Sequence, residues 1–136
     1  MSYEIREETP STSVYIDIRL QAGLSRKSEE AAARGLPNTI FGIVVYSDER
    51  PIGIGRIIGD GGCFYEVTDI AVVPEHQKKG VGVMIMEALV GYLKKNAPST
   101  AYVSLIADHG TPHFYEKFGF TLSEMPKSSG MHMRIR

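Results

Sequence analysis

Residues 77–83, QKKGVGV, form a basic, glycine-containing segment that stands just before an apolar run. Apolar residues recur at helical spacing over residues 81–93, so a helix should begin near Gly80. The first turn of a helix has unpaired N–H groups and a partial positive charge, and glycine lets an anion approach the backbone closely. With Lys78 and Lys79 adding charge, the segment meets the physical requirements of a pyrophosphate-binding loop. From these residues alone, an ordinary glycine-containing turn with two solvated lysines is an equally good interpretation.

Two common phosphate-binding patterns and a metal site can be tested against the sequence. A P-loop requires G-x-x-x-x-G-K-[ST], which the chain lacks. A dinucleotide fingerprint requires G-x-G-x-x-G, but counting from Gly80 puts Ile85 at the third glycine position. The four histidines and one cysteine show no zinc-ligand spacing, so we expect no metal.

The composition is that of a soluble globular protein. A length of 136 residues suits one domain, spanning 1–136, with one core. The net charge of −1 gives no reason to expect nucleic acid or an anionic membrane as a partner. Cys63 is the only cysteine, which favours a reducing compartment. Because no signal peptide and no apolar run of the roughly 20 residues needed for a membrane span are seen, we expect a cytoplasmic protein.

The order of elements predicts a mixed α/β fold. Runs of β-branched and aromatic residues predict strands, which after the short first one are joined by tight turns into an antiparallel meander. The predicted strands are 3–8, 39–47, 52–59, 63–73 and 100–107. Glycines within 52–59 indicate a bulge or a close approach of another element. A helix over 80–96 between two strands predicts a parallel crossover.

Three further helical segments are considered. Residues 25–35 predict a helix with Ser25 as its N-cap and Gly35 past its end. Residues 111–119 predict a short helix that is capped by Thr111, and one or two strands should follow in the tail. Residues 12–22 are ambiguous, because apolar residues alternate as in a strand whereas a serine-rich start and Gly23 favour a helix.

Two motifs resemble those of the GNAT N-acetyltransferase superfamily. The pattern Q/R-x-x-G-x-G/A follows the strand ending in IAVVPEH and opens an amphipathic helix, as in motif A. HFYEKFGF at 113–120 is similar to motif B, in which a helix carries a tyrosine followed by a G-F pair. The resemblance implies a single mixed, mostly antiparallel sheet flanked by helices, and acetyl-CoA bound through its pyrophosphate. It also implies a helix over 12–22, since two helices usually follow the first strand in this family.

The resemblance assigns the cofactor contacts. In the family, the strand before the loop splays from its neighbour and its backbone pairs with the pantetheine arm. Asp108 stands where the family often has asparagine and cannot donate a hydrogen bond when ionised. His113 stands at an often basic position near the adenosine end, although a surface histidine is the alternative. The assigned residues are Ile70, Ala71, Val72, Gln77, Lys78, Lys79, Gly80, Val81, Gly82, Val83, Asp108, His113 and Tyr115.

Catalytic roles also follow from the resemblance. Tyr115 matches the tyrosine that protonates the departing CoA thiolate, and a phenol of pKa about 10 suits that task; alternatively, it is a core aromatic. Glu66 lies eleven residues before Gln77, the offset of the glutamate base in the histone-acetylating branch; alternatively, it is a solvated strand residue. Strand alternation places Asp69 on the opposite face from Glu66. His109 is another candidate base if it faces the cleft.

The acceptor site is less defined by sequence. Relatives build it from the N-terminal helices, which here carry Tyr15, Arg19 and Arg26, although surface ion pairing is the simpler role for these residues. The leading hypothesis is an N-acetyltransferase that moves an acetyl group to a primary amine, of a small molecule or of a peptide or protein, within a ternary complex. The alternative is a non-catalytic module that binds and senses acyl-CoA. A homodimer is a family-level expectation.

Overall fold

A computed structural model of the chain describes residues 2–107, 111–123, 128 and 130–135. The chain divides into two compact units, Met1–Leu105 and Ile106–Arg136, and each is described by itself. The expectation of one domain over 1–136 stays a prediction. The described elements are β1 (Glu4–Arg6), α1 (Thr12–Gln21), α2 (Glu29–Gly35), β2 (Phe41–Ser47), β3 (Arg50–Gly59), β4 (Phe64–Val72), α3 (Val81–Asn96), β5 (Tyr102–Ser104) and α4 (Pro112–Glu116).

The first unit is built on one five-stranded sheet in the order β1-β2-β3-β4-β5. The strands β1 to β4 pair with one another in an antiparallel manner, and β5 lies parallel to β4 after the crossover through α3. Helices pack on both faces: Gly55 of β3 faces α3, whereas its neighbour Arg56 faces α1. The predicted mixed, mostly antiparallel sheet flanked by helices is therefore confirmed.

The ambiguous segment at 12–22 forms helix α1, as the family resemblance implied. Ser11 caps it, because its hydroxyl accepts a hydrogen bond from the Val14 N–H at 3.2 Å. Gly23 follows the helix with a φ of +83°, a conformation that glycine adopts without steric cost. The helix buries Tyr15 and Ile18.

The predicted start of α2 was wrong by several residues. Ser28, not Ser25, caps the helix, since its hydroxyl accepts from the Ala31 N–H at 3.0 Å. The following residues, Glu29 and Glu30, favour this start because carboxylates are stabilised at the positive end of a helix. Gly35 is the last residue of α2 and does not lie beyond it.

Helix α3 packs against the sheet where glycines of β3 leave room for it. A Cβ atom at Gly55 would lie 2.5 Å from Cγ2 of Ile85 and 3.2 Å from Cδ1 of Leu89, and both of these residues are fully buried. At the other end of the helix, Tyr92 stacks on Phe41 of β2 with 4.4 Å between ring centroids. The glycines of 52–59 therefore allow α3 to approach the sheet closely. Strand β4 also has a bulge opposite Gly55, because Ile54 pairs with Ala71 and Arg56 pairs with Thr68.

We expect Gly55→Ala to lower the free energy of unfolding by about 1–3 kcal/mol, because the added methyl group overlaps a packed isoleucine. Gly91→Ala is the matched control, since Gly91 is an exposed residue of α3 with nothing within 4 Å of an added Cβ. That variant should gain up to about 1 kcal/mol from helix propensity. Urea denaturation of both variants measures the difference, and equal stabilities would contradict the close approach.

The last predicted strands differ from the structure. The strand expected over 100–107 is confined to Tyr102–Ser104. Of the tail, the described residues 119–123, 128 and 130–135 lie in no strand, and residues 124–127, 129 and 136 lie outside the described part of the chain. Met131, Met133 and Ile135 alternate as in a strand but are almost fully exposed, and alternation without a partner strand does not stabilise one.

No helix among the described residues is long and apolar enough to span a membrane.

Candidate functional site

Strand β4 has a backbone edge that no strand of the described chain covers. The ladder between β4 and β5 ends at the pair Glu66 and Ser104, whereas β4 continues to Val72. The N–H of Val73 donates to the carbonyl of Ile52 in β3 at 2.9 Å, so by alternation Ala71 is also directed to β3. Ile70 and Val72 therefore turn their N–H and C=O groups to the uncovered edge.

The same edge leads into the glycine-containing loop. The side-chain amide of Gln77 donates to the carbonyl of Val72 at 2.9 Å, which fixes the loop to the end of the strand. A short 3-10 helix, Pro74–His76, makes the turn between them, and Nδ1 of His76 hydrogen-bonds with the hydroxyl of Tyr3 at 2.8 Å. Gln77 thus lies at the end of the uncovered edge that includes Ile70 and Val72, whereas the backbone of Ala71 is directed to β3.

Helix α3 begins with free backbone donors. Gly80 occupies the N-cap position with a φ of +87°, and the first helical hydrogen bond runs from the Met84 N–H to the Gly80 carbonyl at 3.1 Å. Within the described chain, no side chain caps this helix and its first turn holds no acidic residue. The N–H groups of the first turn, from Val81 to Val83, are therefore available to an anion, and the exposed Lys78 and Lys79 add positive charge.

Glu66 is the third residue of β4 and is partly buried. Among the described residues its side chain makes no hydrogen bond or ion pair, so its carboxylate remains available as a proton acceptor. The prediction that Asp69 lies on the opposite face is wrong. Thr68 pairs with Arg56 and the Asp69 carboxylate accepts from that same arginine, so Asp69 shares the face of Thr68 and Glu66. An inserted residue in β4 at this point shifts the alternation.

Asp69 lies at the centre of a buried ionic cluster that the sequence did not reveal. Its Oδ1 accepts from Nη1 of Arg19 and from the hydroxyl of Tyr15 at 3.1 Å, and its Oδ2 accepts from Nε of Arg56 at 2.8 Å. Asp69 and both arginines are more than nine-tenths buried. Burial, together with the nearby Asp69 charge, raises the pKa of Tyr15.

The predicted surface ion pairing is therefore wrong for Tyr15 and Arg19, and only Arg26 is exposed. The signal that could have found the cluster is the presence of charged residues inside otherwise apolar strands. Arg56 stands in IGIGRIIG and Asp69 in VTDIAVV. Charged side chains are almost never fully buried unless they are paired, so two of opposite sign on neighbouring strands indicate a contact.

Tyr115 belongs to helix α4 in the second unit. It is partly buried and packs edge-on against Phe114, with 5.1 Å between ring centroids and 84° between the ring planes. Gly119 ends this short segment with a φ of +98°, and its N–H donates to the carbonyl of Glu116 at 3.1 Å. The helix predicted over 111–119 is therefore present but shorter, because it ends at Glu116 and Gly119 lies three residues beyond it.

The remaining predicted site residues are less informative. His113 is exposed, and its Nδ1 lies 2.8 Å from Oε1 of Glu116, one turn further along α4. Asp108 and His109 lie outside the described residues. No group of three or more histidine, cysteine, aspartate or glutamate side chains in the described ranges could hold a metal ion.

Comparisons with known proteins agree with this architecture. The sequence profile of a family described as "Acetyltransferase (GNAT) domain" matches residues 38–122. Serotonin N-acetyltransferase 2, chloroplastic, from rice is 30% identical over 113 residues, which cover 78% of this chain and 54% of that protein. An uncharacterized N-acetyltransferase from Porphyra purpurea is 31% identical over 74 residues, which cover 54% of this chain and 41% of that protein. The chain spans about half the length of the curated relatives it matches.

Solved structures share the fold over nearly the whole chain. A protein of unknown function from meticillin-resistant Staphylococcus aureus, described as a probable acetyltransferase, superposes with a TM-score of 0.91. It is 40% identical, and the match covers 98% of this chain and 100% of that one. A GNAT-family acetyltransferase from Streptococcus pneumoniae has a TM-score of 0.81 at 21% identity, with 99% of each chain covered. The sheet, the crossover helix and the two motifs are those of an acetyltransferase fold. The chain belongs to the GNAT acetyltransferase family.

Proposed function

We propose that this protein transfers an acetyl group from acetyl-CoA to a primary amine, within a complex that holds both substrates. The observation that carries the proposal is the continuity between two features of the first unit. The uncovered edge of β4 at Ile70 and Val72 runs directly into the loop at Gln77, where the first turn of α3 offers free N–H groups. A ligand with an amide-containing arm and a pyrophosphate group would satisfy both features at once.

The residues present fit acetyl-CoA. The edge of β4 offers the N–H and C=O of Ile70 and the N–H of Val72 to the amides of a pantetheine arm, as an added strand would use them. The first turn of α3, with Lys78 and Lys79, would bind the pyrophosphate. A Cβ atom at Gly80 would meet nothing within 4 Å, so the space over the loop is open. Acetyl-CoA supplies the thioester whose acetyl group is transferred.

The chain's own side chains would move the protons. An ammonium ion has no lone pair, so the acceptor amine must lose a proton before it attacks, and Glu66 is the candidate base. A thiolate leaves as the acetyl group is transferred, and the Tyr115 phenol is the candidate acid. The support for Glu66 is its partly buried, unpaired carboxylate on β4, and the support for Tyr115 is its place in the second motif.

The acceptor class can be narrowed by experiment. The rice relative is named for serotonin, so arylalkylamines belong in a panel together with polyamines, amino acids, aminoglycosides and lysine peptides. Wild-type protein is incubated with acetyl-CoA and each amine, and release of the free CoA thiol is measured with a thiol reagent. We expect release that depends on at least one amine. CoA binding without release for any amine would favour the acyl-CoA-sensing alternative, and absence of CoA binding would refute both.

A further inference from the structure

The bulge in β4 is placed where the strand leaves its neighbour. In the ladder with β3, Ile54 pairs with Ala71 and Arg56 pairs with Thr68, so Gly55 faces both Asp69 and Ile70. A bulge bends its strand and increases the local twist. This one follows the end of the β4–β5 ladder and immediately precedes the uncovered edge at Ile70. The direction of that edge is therefore set at Asp69.

Asp69 adopts a backbone conformation that side chains seldom take. Its φ is +61°, in the left-handed region, where aspartate and asparagine are tolerated better than most residues. Such a conformation persists only when surrounding contacts hold it. The holding contacts here come from outside the strand.

The anchoring contacts link Asp69 directly to two other elements of the first unit, α1 and β3. Through Arg19 and Tyr15 the carboxylate is bound to α1, and Arg19 in turn donates from Nη2 to the carbonyl of Ser25 at 2.6 Å. Through Arg56 it is bound to β3, and Nη1 of Arg56 donates to the hydroxyl of Thr39 at 2.7 Å. A single buried carboxylate therefore ties the bulge to the N-terminal helix and to the segment that enters β2.

The charges of this cluster do not balance. Two guanidinium groups and one carboxylate leave a net charge of +1, and Nε of Arg19 is buried with no hydrogen-bond partner among the described residues. Buried ionic groups of this kind commonly contribute less stability than an apolar packing of the same volume would. The contribution of this cluster is therefore a fixed geometry at the bulge more than added stability.

We infer that Asp69 is a positioning residue for the acyl donor: held by Arg19, Arg56 and Tyr15, it fixes the β4 bulge and so aligns the edge at Ile70 and Val72 with the pantetheine arm. The inference rests on the proposed function. It assigns no contact between Asp69 and a substrate. The inference distinguishes two parts of the donor site. The bulge aligns the strand edge that would bind the pantetheine arm, whereas the loop that would bind the pyrophosphate follows Val72.

Asp69→Asn tests this inference, because asparagine tolerates the left-handed conformation but loses the charge that holds both arginines. Binding is measured by calorimetry for CoA, which has the pantetheine arm, and by competition for ADP, which lacks it. We expect the Kd for CoA to rise about ten-fold, the effect of losing roughly one well-placed hydrogen bond. The Kd for ADP should stay at its wild-type value. If the role of Asp69 is purely structural, the variant should have a lower melting temperature, and its Kd values for CoA and ADP should not change by different factors.

A second variant covers the case in which Asp69→Asn does not fold. Arg19→Met together with Asp69→Asn removes one charge of each sign, so that Arg56 alone keeps the cluster at +1. It should show the same selective loss of CoA affinity. Val45→Ala, in the buried centre of β2, controls for lost stability and should leave both Kd values unchanged.

Failure of the inference about Asp69 can be distinguished from failure of the proposed function. If wild-type protein does not bind CoA, the proposed function fails. If wild type binds CoA, then an unchanged Kd in the folded variants, or an equal loss for CoA and ADP, overturns the positioning role of Asp69.

Discussion

Replacing Tyr115 with phenylalanine is expected to lower kcat about 10²- to 10⁴-fold, the range that a positioned general acid contributes. The Kd for acetyl-CoA should change little, because phenylalanine keeps the ring that packs edge-on against Phe114. The pH profile should change as well. An acid acts only while it is protonated, so the wild-type rate should fall as the pH rises through the pKa of the phenol. That alkaline limb should be absent from the profile of the variant.

Phe118→Leu is the matched control for this prediction. Phe118 lies in the same aromatic group, with 5.5 Å between its ring centroid and that of Phe114, but it has no ionisable group. Its replacement should disturb the packing of the segment and leave the shape of the pH profile intact. Steady-state kinetics at several pH values measure both variants. Equal kcat values for Tyr115→Phe and wild type at every pH would show that Tyr115 is not the acid.

The order of the elements could be predicted because their signals are local. Short turns between β-branched runs predicted the meander, and the helical spacing over 81–93 predicted the crossover helix. Gly80 was predicted as the place where a helix begins, and the structure adds a reason for glycine at that position. Its φ of +87° favours glycine at the N-cap, before the first helical residue, so it does not weaken the helix interior.

Whether residues 12–22 form a helix or a strand could not be predicted from those residues alone. The alternation from Val14 to Leu20 predicts a strand, yet in the structure Ile18 is buried and Leu20 is half exposed. The face that the helix actually buries includes Arg19, a residue that hydrophobic patterns count as polar. Because a charged residue completes the buried face, the periodicity of apolar residues alone misrepresents it. The resemblance to a family supplied the correct answer.

The arrangement around Asp69 was beyond local reasoning for a different reason. A single inserted residue in β4 changes which side chains share a face from that point onward, and no nearby residue type announces the insertion. Glycine commonly marks such a position, but here it is an aspartate with a φ of +61°, and its carboxylate accepts hydrogen bonds from two arginines that are distant in the sequence. The residues next to Asp69 therefore do not predict the bulge, and only the charged residues within apolar strands indicate an unusual contact there.

Gly80→Val is expected to raise the Kd for CoA about five- to thirty-fold, because a left-handed conformation costs other residues about 1–2 kcal/mol and the free loop would relax out of it. The first-turn N–H groups would then lose their common direction, and binding would have to restore it. Gly23→Val is the matched control. Gly23 has a similar φ of +83°, and a Cβ atom would meet nothing within 4 Å at either position. Both variants should therefore lose stability on thermal denaturation, but calorimetry should find weaker CoA binding for Gly80→Val alone. If the two variants bind CoA equally well, the loop that begins α3 is not the pyrophosphate site, and the anion must be bound elsewhere.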